Sequence, residues 1–182
     1  MNQKIKVLLY SSNIWYLAEG MFGPLLAIFT EEIGGDIFDI SWAWAAYLIA
    51  TGVITIVVGK LLSHSKYVKT VMIIGYGLNA LLTFGYLFVE TPLQLFIIQV
   101  ALGIATALAT PTWSTLYARH SDKELEVFEW GLASGESNII TGIAIIIGGY
   151  IFGSFSFNLL FMIMGIIQTI STLYLIIFYN RK

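Results

Sequence analysis

Two carboxylates lie well inside long apolar stretches of this sequence, away from the ends of the stretches. Glu19 is near the middle of the first stretch, and Glu136 is roughly 10 Å in from the start of the fifth at about 1.5 Å per residue. An ionised carboxylate at the centre of a bilayer costs about 2.5–3.5 kcal/mol on insertion scales, so such a group faces protein or water. Either residue can bind a proton or a cation along a pathway. Either can instead stay protonated and join helices as a structural group.

Polar side chains also recur at helical spacing in three further apolar stretches. Spacings of i, i+3 and i+4 place each set on one face of a helix. In lipid such a face turns inward, where it either hydrogen-bonds another helix or lines a wet cavity. Three such faces, with Glu19 in a fourth stretch, favour the cavity. The sets are Tyr47, Thr51 and Thr55; Gln99, Gly103, Thr106, Thr110, Trp113 and Tyr117; and Trp130, Ser134, Ser137, Asn138 and Thr141.

Six apolar stretches must position these side chains, and each approaches or exceeds the ~20 apolar residues that a helix needs to cross a bilayer. They cover about 7–29, 40–62, 68–89, 93–118, 127–152 and 158–179. All nine Lys and Arg residues lie at the ends of these stretches or between them, and a cytosolic N-terminus places every one in the cytosol. The sequence therefore predicts one multi-pass domain over 1–182 in the cell membrane, with both termini cytoplasmic.

Composition excludes several classes of protein. A hydrophobic content of 58% with only 11% charged residues is far from that of an ordinary soluble domain. No basic patch alternates with aromatic residues, so no nucleic-acid partner is expected. The sequence has no cysteine, and its two histidines, His64 and His120, fall in predicted cytosolic loops without a deep serine or carboxylate partner. We therefore expect no enzyme, no metal site and no cofactor.

An internal repeat is suggested by a shift of 87 residues. This shift places Pro24 on Pro111 and Ser41 on Phe128, at matching places in the first and fourth, and second and fifth, stretches. Three spans separate the copies, so the second copy would be inverted in the membrane, an arrangement found in secondary transporters. A chance match of two prolines is the alternative. Both prolines predict kinks, because each removes a backbone hydrogen bond.

Small residues mark one further feature of the fifth stretch. Gly135, Gly142 and Gly149 repeat every seven residues, and Gly131 and Gly153 extend the spacing at both ends. Such a line of glycines forms a groove for close approach of another helix. Simple helix packing is the favoured interpretation of this line.

The segment after the second span contains a loop pattern. It runs Gly-Lys-Leu-Leu-Ser-His-Ser-Lys-Tyr-Val-Lys over 59–69. This is similar to a Gly-x-Leu-x-Asp-Arg-x-Gly-Arg loop, with Gly59, Leu61 and the late basic residue Lys69 in agreement. Ser63 stands where the pattern has Asp.

Two further segments carry a family resemblance. Residues 99–107 are similar to Arg-x-x-x-Gly-x-x-x-Ala, with Gln99 at the Arg position, and residues 142–149 are similar to Gly-Pro-x-x-Gly-Gly, although Ala144 and Ile145 replace Gly-Pro. In this order and spacing, the motifs resemble one half of a major facilitator superfamily transporter, and specifically its half-length, six-helix members. The segment 111–130 is the part of the sequence that is most characteristic of these half-length members.

This resemblance implies an architecture. Family members have twelve helices in two six-helix halves, with helices 1 and 4 of each half lining the cavity, helices 2 and 5 meeting the other half, and helices 3 and 6 outside. The expected fold is therefore all-α and integral to the membrane, with six helices as a 3+3 inverted repeat. Because the charge bias allows one orientation, two copies would insert in parallel and rebuild a full transporter.

The resemblance also implies a function, namely secondary transport of a small molecule or ion by alternating access, as symport or antiport. Glu19 is the expected coupling or substrate-binding carboxylate. The expected substrate- or proton-binding residues are Glu19, Trp15, Gln99, Thr106, Thr110, Trp113, Glu136 and Asn138. The expected dimer interface contains Thr51, Thr55, Ser134, Thr141 and Gly142, and the expected gating loop contains Gly59, Leu61 and Lys69.

Two alternatives remain beside the homodimeric transporter. One is a non-transporting membrane subunit that pairs with another six-helix chain. The other is the front half of a longer transporter. The lipid bilayer is a partner in every case.

Overall fold

The computed structural model describes residues 2–63 and 65–179, and every regular element within these ranges is helical. Three residues placed in the cytosol by the sequence, His64, Arg181 and Lys182, lie outside the described ranges. The prediction of an all-α chain is confirmed for the described residues. The helices are α1 Gln3–Gly20, α2 Leu26–Glu32, α3 Ile37–Leu62, α4 Val68–Gly85, α5 Pro92–His120, α6 Glu126–Ser154 and α7 Phe157–Phe178.

Five of the predicted spans correspond to helices that are long and apolar enough to cross a membrane, judged by length and composition over the described residues. They are α3, α4 with the 3₁₀ turn Tyr86–Phe88 that follows it, α5, α6 and α7. The first predicted span, 7–29, is instead divided between α1 and α2.

The division of the first span follows from its sequence. α1 ends at Gly20, a 3₁₀ turn covers Gly23–Leu25, and α2 begins at Leu26. Pro24 has no amide hydrogen to donate to the preceding turn, and two nearby glycines lower the cost of leaving the helical conformation. Pro111, in contrast, lies inside α5, which is continuous from Pro92 to His120.

Local signals explain where the other helices begin and end. Asp36 caps α3, and its side chain forms a reciprocal capping box with Asp39. Thr91 caps α5, with Pro92 in the first turn where its missing amide hydrogen costs nothing. Gly34 follows α2 with a φ of 79°, a left-handed conformation that glycine adopts at no steric cost.

The long helices pack in a row. α3 lies along α5, α5 along α4, α4 along α7, α7 along α1, and α1 along α6. α3 and α6 are therefore the two flanks, and few of their residues are buried within the chain. The inner helices share two apolar clusters. One surrounds Phe161, whose ring lies 5.1 Å from Phe22 and 4.9 Å from Tyr86, and the other surrounds Tyr117.

Two glycines illustrate how closely the helices approach one another. A Cβ at Gly75 in α4 would lie 2.6 Å from the backbone nitrogen of Ala109 in α5. A Cβ at Gly148 in α6 would collide with the carbonyl oxygen of Met21, at the interruption between α1 and α2. The backbones of these helix pairs can approach each other only because these positions lack a side chain.

Replacement of Gly75 by Ala should destabilise the fold by about 1–3 kcal/mol, because the new methyl group overlaps rigid backbone atoms of α5. The measurement is the free energy of unfolding of the purified protein in a detergent titration. Gly77→Ala is the matched control in the same helix, since its Cβ would lie 3.8 Å from Thr172 Cγ2, an ordinary contact. Equal stability of both variants would contradict the packing described here.

Candidate functional site

A cavity of about 110 Å³ lies beside the interruption between α1 and α2. Side chains from α1, α3, α4, α5 and α7 line it. Its polar side chains are Glu19, Tyr47, Asn79, Thr83, Gln99, Thr106 and Gln168, and its apolar part includes Phe22, Leu26, Trp44, Tyr86, Leu102 and Met164. Three of the predicted binding residues, Glu19, Gln99 and Thr106, are thus brought together from two helices.

A hydrogen-bond network centred on Thr106 holds one wall of this cavity. The hydroxyl oxygen of Thr106 accepts a hydrogen bond from Asn79 Nδ2 at 3.1 Å and another from the Tyr47 hydroxyl at 3.3 Å. The network joins α3, α4 and α5 at one level of the bundle. Because hydrocarbon supplies no hydrogen-bond partners, this arrangement keeps three polar groups inside the protein.

A second hydrogen-bonded pair, Thr83 and Gln168, lines another part of this cavity. The Thr83 hydroxyl of α4 donates a hydrogen bond to Gln168 Oε1 of α7 at 2.6 Å. Gln168 is 1% exposed and Thr83 is 2% exposed, so both groups are removed from lipid. The prediction from the resemblance that the third and sixth spans stay outside did not anticipate these cavity residues. The available signal was the presence of Asn79, Thr83 and Gln168 in otherwise apolar helices.

Glu19 supplies the only carboxylate among the residues that line the cavity, and no Lys, Arg or His lines it. No described residue donates a hydrogen bond to its side chain or forms an ion pair with it. The neutral amides of Asn79, Gln99 and Gln168 complete the polar lining. A carboxylate in this setting can be neutralised by a proton or by a bound cation.

A smaller cavity of about 20 Å³ lies further along α1 and contains three other predicted residues, Trp15, Thr110 and Trp113. The Trp113 indole donates a hydrogen bond to the carbonyl oxygen of Leu8 at 3.1 Å. The Trp15 indole nitrogen is buried without a hydrogen-bond partner among the described residues. Aromatic side chains make up most of the lining of this second cavity.

One face of α1 serves both cavities. Ser12, Trp15 and Tyr16 line the smaller cavity, and Glu19 lines the larger one. These four positions have the i, i+3, i+4, i+7 spacing of a single helix face. The two cavities thus lie one above the other along the same side of α1.

Glu136 and Asn138, the remaining predicted binding residues, lie at neither cavity. Glu136 accepts a hydrogen bond from Asn13 Nδ2 at 2.6 Å, on a different face of α1. Asn138 is exposed on α6. The structure therefore places six of the eight predicted residues at two cavities and these two residues elsewhere.

The residues predicted for the dimer interface do not lie together on one surface. Ser134 is exposed, and a Cβ at Gly142 would meet no atom within 4 Å, so both face open space on α6. Thr141 lies against Gly20 of α1. Thr51 lies 3.2 Å from the carbonyl oxygen of Gly103, within hydrogen-bond distance. Thr55 is half-buried on α3.

The predicted gating loop has two exposed members, Gly59 and Leu61. The third, Lys69, lies at the start of α4 with its amino group 5.7 Å from the centre of the Tyr179 ring. Lys4 lies 5.8 Å from the same ring. Tyr179 therefore brings together charges from the beginnings of α1 and α4 by cation–π contacts.

Comparison with known proteins decides the family. A family profile described as Major Facilitator Superfamily matches residues 8–182. The chain belongs to this superfamily. The resemblance found in the motifs is thereby confirmed, and membership together with the apolar helices indicates a multi-pass membrane protein.

Several curated relatives carry the name multidrug resistance protein MdtG. The protein from Yersinia enterocolitica is 23% identical over 180 residues, which are 95% of this chain and 43% of the relative. The protein from Klebsiella pneumoniae gives the same values, and that from Dickeya zeae is 24% identical over 96% of this chain and 44% of its own length. This major facilitator chain therefore spans less than half the length of these relatives.

The contact between Thr83 and Gln168 predicts measurable coupling between α4 and α7. Thr83→Val and Gln168→Leu should each destabilise the protein, whereas the double variant should be more stable than the sum of the two effects predicts. The expected coupling is about 0.6–1.7 kcal/mol, the range for hydrogen bonds between membrane helices. The same double-mutant cycle for Thr83 and Thr55 is the control, and coupling of equal size there would contradict a direct bond.

Proposed function

We propose that this chain is a secondary active transporter that moves a small positively charged solute by alternating access, as one half of a twelve-helix unit. The observation that carries the proposal is the Glu19 cavity, which holds a single carboxylate, three neutral amides and a partly aromatic lining. A cation balances the carboxylate, the amides donate or accept hydrogen bonds, and the aromatic rings contact an apolar body. The relatives' name, multidrug resistance protein, supports a drug-like organic molecule as the solute, and the carboxylate is what favours a cation.

The proposed architecture has six spans in two inverted three-helix repeats. In it, α1 and α2 together form the first span, and the two repeats match α1 with α5, α3 with α6, and α4 with α7. The pattern of contacts supports this match, because the packing of α3 on α5 corresponds to that of α6 on α1, and the packing of α4 on α5 to that of α7 on α1. The contact of α4 with α7 corresponds to itself.

The proposed partner half is a second copy of this chain in parallel orientation. Both copies lie in the cell membrane with both termini in the cytosol. The concentration of basic residues on one side of the membrane supports a single orientation. Ser134, Asn138 and Gly142 form a small, polar face of α6 that no other part of the described chain covers. A second helix would cover it better than lipid does.

Another chain can take the place of the second copy. Because this chain spans 43% of a relative's length, the missing half can be a different six-helix chain or a continuation of the same polypeptide. Each arrangement covers the open faces of α3 and α6 in the same way. The arrangements differ in whether the second half is a copy of this chain, a different chain or a continuation of the same polypeptide.

Glu19→Gln should abolish uptake driven by a pH gradient, so that the rate of gradient-driven uptake falls at least tenfold. The premise is that this carboxylate exchanges a proton for the solute. The amide has nearly the same shape but binds no proton, so the fold is retained. The measurement is uptake of a fluorescent organic cation into proteoliposomes with and without an imposed pH gradient. Glu32→Gln, at the exposed end of α2, is the matched control. Unchanged gradient-driven uptake in Glu19→Gln would remove the assigned role.

Crosslinking can test the parallel homodimer, since the natural sequence has no cysteine. Gly142→Cys should give a dimer-sized product with a short thiol crosslinker in native membranes, because this position faces open space on the small, polar face of α6. Leu81→Cys is the control, as its side chain is 66% exposed on α4, a helix outside the proposed interface. Products with a different chain, or monomer alone, would contradict the homodimer.

A further inference from the structure

A groove of about 240 Å³ runs between α1 and α6, away from both cavities. Tyr10, Asn13, Ile14 and Leu17 line it from α1, and Ile140 and Ile143 line it from α6. The α1 residues have i, i+3, i+4, i+7 spacing and occupy a different face of this helix from Ser12, Trp15, Tyr16 and Glu19. The groove is thus separated from the Glu19 cavity by the body of α1.

The groove adjoins the side of α6 that suits lipid. Ile139, Ile146 and Tyr150 are 66%, 74% and 72% exposed, and their i, i+7, i+11 spacing places them on one apolar face. Ile143, which lines the groove, is four residues after Ile139 and borders this face. A molecule dissolved in the bilayer can therefore reach the groove from the side, without passing through the Glu19 cavity.

One charged group borders this mostly apolar groove. The carboxylate of Glu136 accepts a hydrogen bond from Asn13, and Glu136 is in helical register with Ile140 and Ile143. No cationic side chain in the described part of the chain forms an ion pair with it. Lys6, on the same side of α1, is seven residues from Asn13, or about 10 Å along the helix. A positive charge from outside the chain would stabilise an ionised carboxylate here.

An unused acceptor lies beside that carboxylate. Asn13 Oδ1 is buried and has no hydrogen-bond partner among the described residues. Its amide nitrogen is 2.6 Å from Glu136 Oε2, and the oxygen and nitrogen of one amide are only about 2.3 Å apart. Carboxylate and carbonyl oxygen together can accept two hydrogen bonds from one ammonium group. A buried acceptor without a partner costs free energy, so a ligand that donates a hydrogen bond to it binds more tightly.

We propose that this groove binds an amphipathic primary or secondary amine from the bilayer, at a site separate from the Glu19 cavity. The ammonium group lies against Glu136 and donates to Asn13 Oδ1, and the apolar body lies along Leu17, Ile140 and Ile143. Tyr10, which is 57% exposed, can place its ring beside the cation. The depth of about 10 Å beyond Lys6 favours a free amphiphile over the headgroup of a phospholipid. Binding at this site does not require that the protein transports anything.

Photolabelling of the full chain in phosphatidylcholine nanodiscs tests the site. The probe is dodecylamine with a diazirine in its tail, and labelled residues are mapped by mass spectrometry. We expect labels on Leu17, Ile140 and Ile143, a loss of at least tenfold in Glu136→Gln, and no loss in Glu19→Gln. The matching diazirine alcohol should label the groove residues no more strongly than it labels Ile146, which is exposed on the apolar face of α6. A trimethylammonium analogue, which has no N–H to donate, should label it several-fold less.

Other results would overturn the proposal. Labelling of the groove that is unchanged in Glu136→Gln, or equal to that at Ile146, would show partition into lipid only. Loss of labelling when phosphatidylethanolamine replaces phosphatidylcholine would identify a phospholipid headgroup as the occupant. Leu17→Trp, which fills the groove without altering either polar residue, should abolish labelling and provides a second test if Glu136→Gln does not fold. Loss of labelling in Glu19→Gln would assign the amine to the transport cavity instead.

Discussion

The whole structure depends on the absence of hydrogen-bond partners in hydrocarbon. Each polar side chain on a membrane helix must find another protein group, water or a ligand, and this requirement decides which helix faces turn inward. Thr106 meets Asn79 and Tyr47, and Thr83 meets Gln168, so four helices are joined by two small networks. Glu19 has no such partner among the described residues, and it lies where a cavity can admit water, a proton or a solute.

α1 shows how a single helix can serve separate environments. One face presents Trp15 and Glu19 to the interior cavities, and another presents Asn13 to α6, where Glu136 accepts its hydrogen bond. The interruption after Gly20 ends the regular helix beside Glu19, and Gly148 lets α6 contact the backbone there. The chemistry of the cavity and the packing of α6 therefore share one short segment of the chain.

The two flanking helices leave much of their surface uncovered by the rest of the described chain. α3 and α6 bury little of their surface within this chain, whereas α4, α5 and α7 are enclosed by their neighbours. Large apolar side chains on a flank suit lipid, but a face of glycine, serine and asparagine suits another helix.

The sequence by itself determined the helical class, the positions of five long apolar helices and the family, because apolar length and motif spacing are local properties of the chain. It also indicated that Glu19, Gln99 and Thr106 belong together. Only the tertiary structure separated Glu136 from Glu19 and brought Asn79 and Gln168 to the cavity. The physical reason is that periodicity states which residues share a face, whereas the neighbour of that face is set by how helices distant in sequence pack.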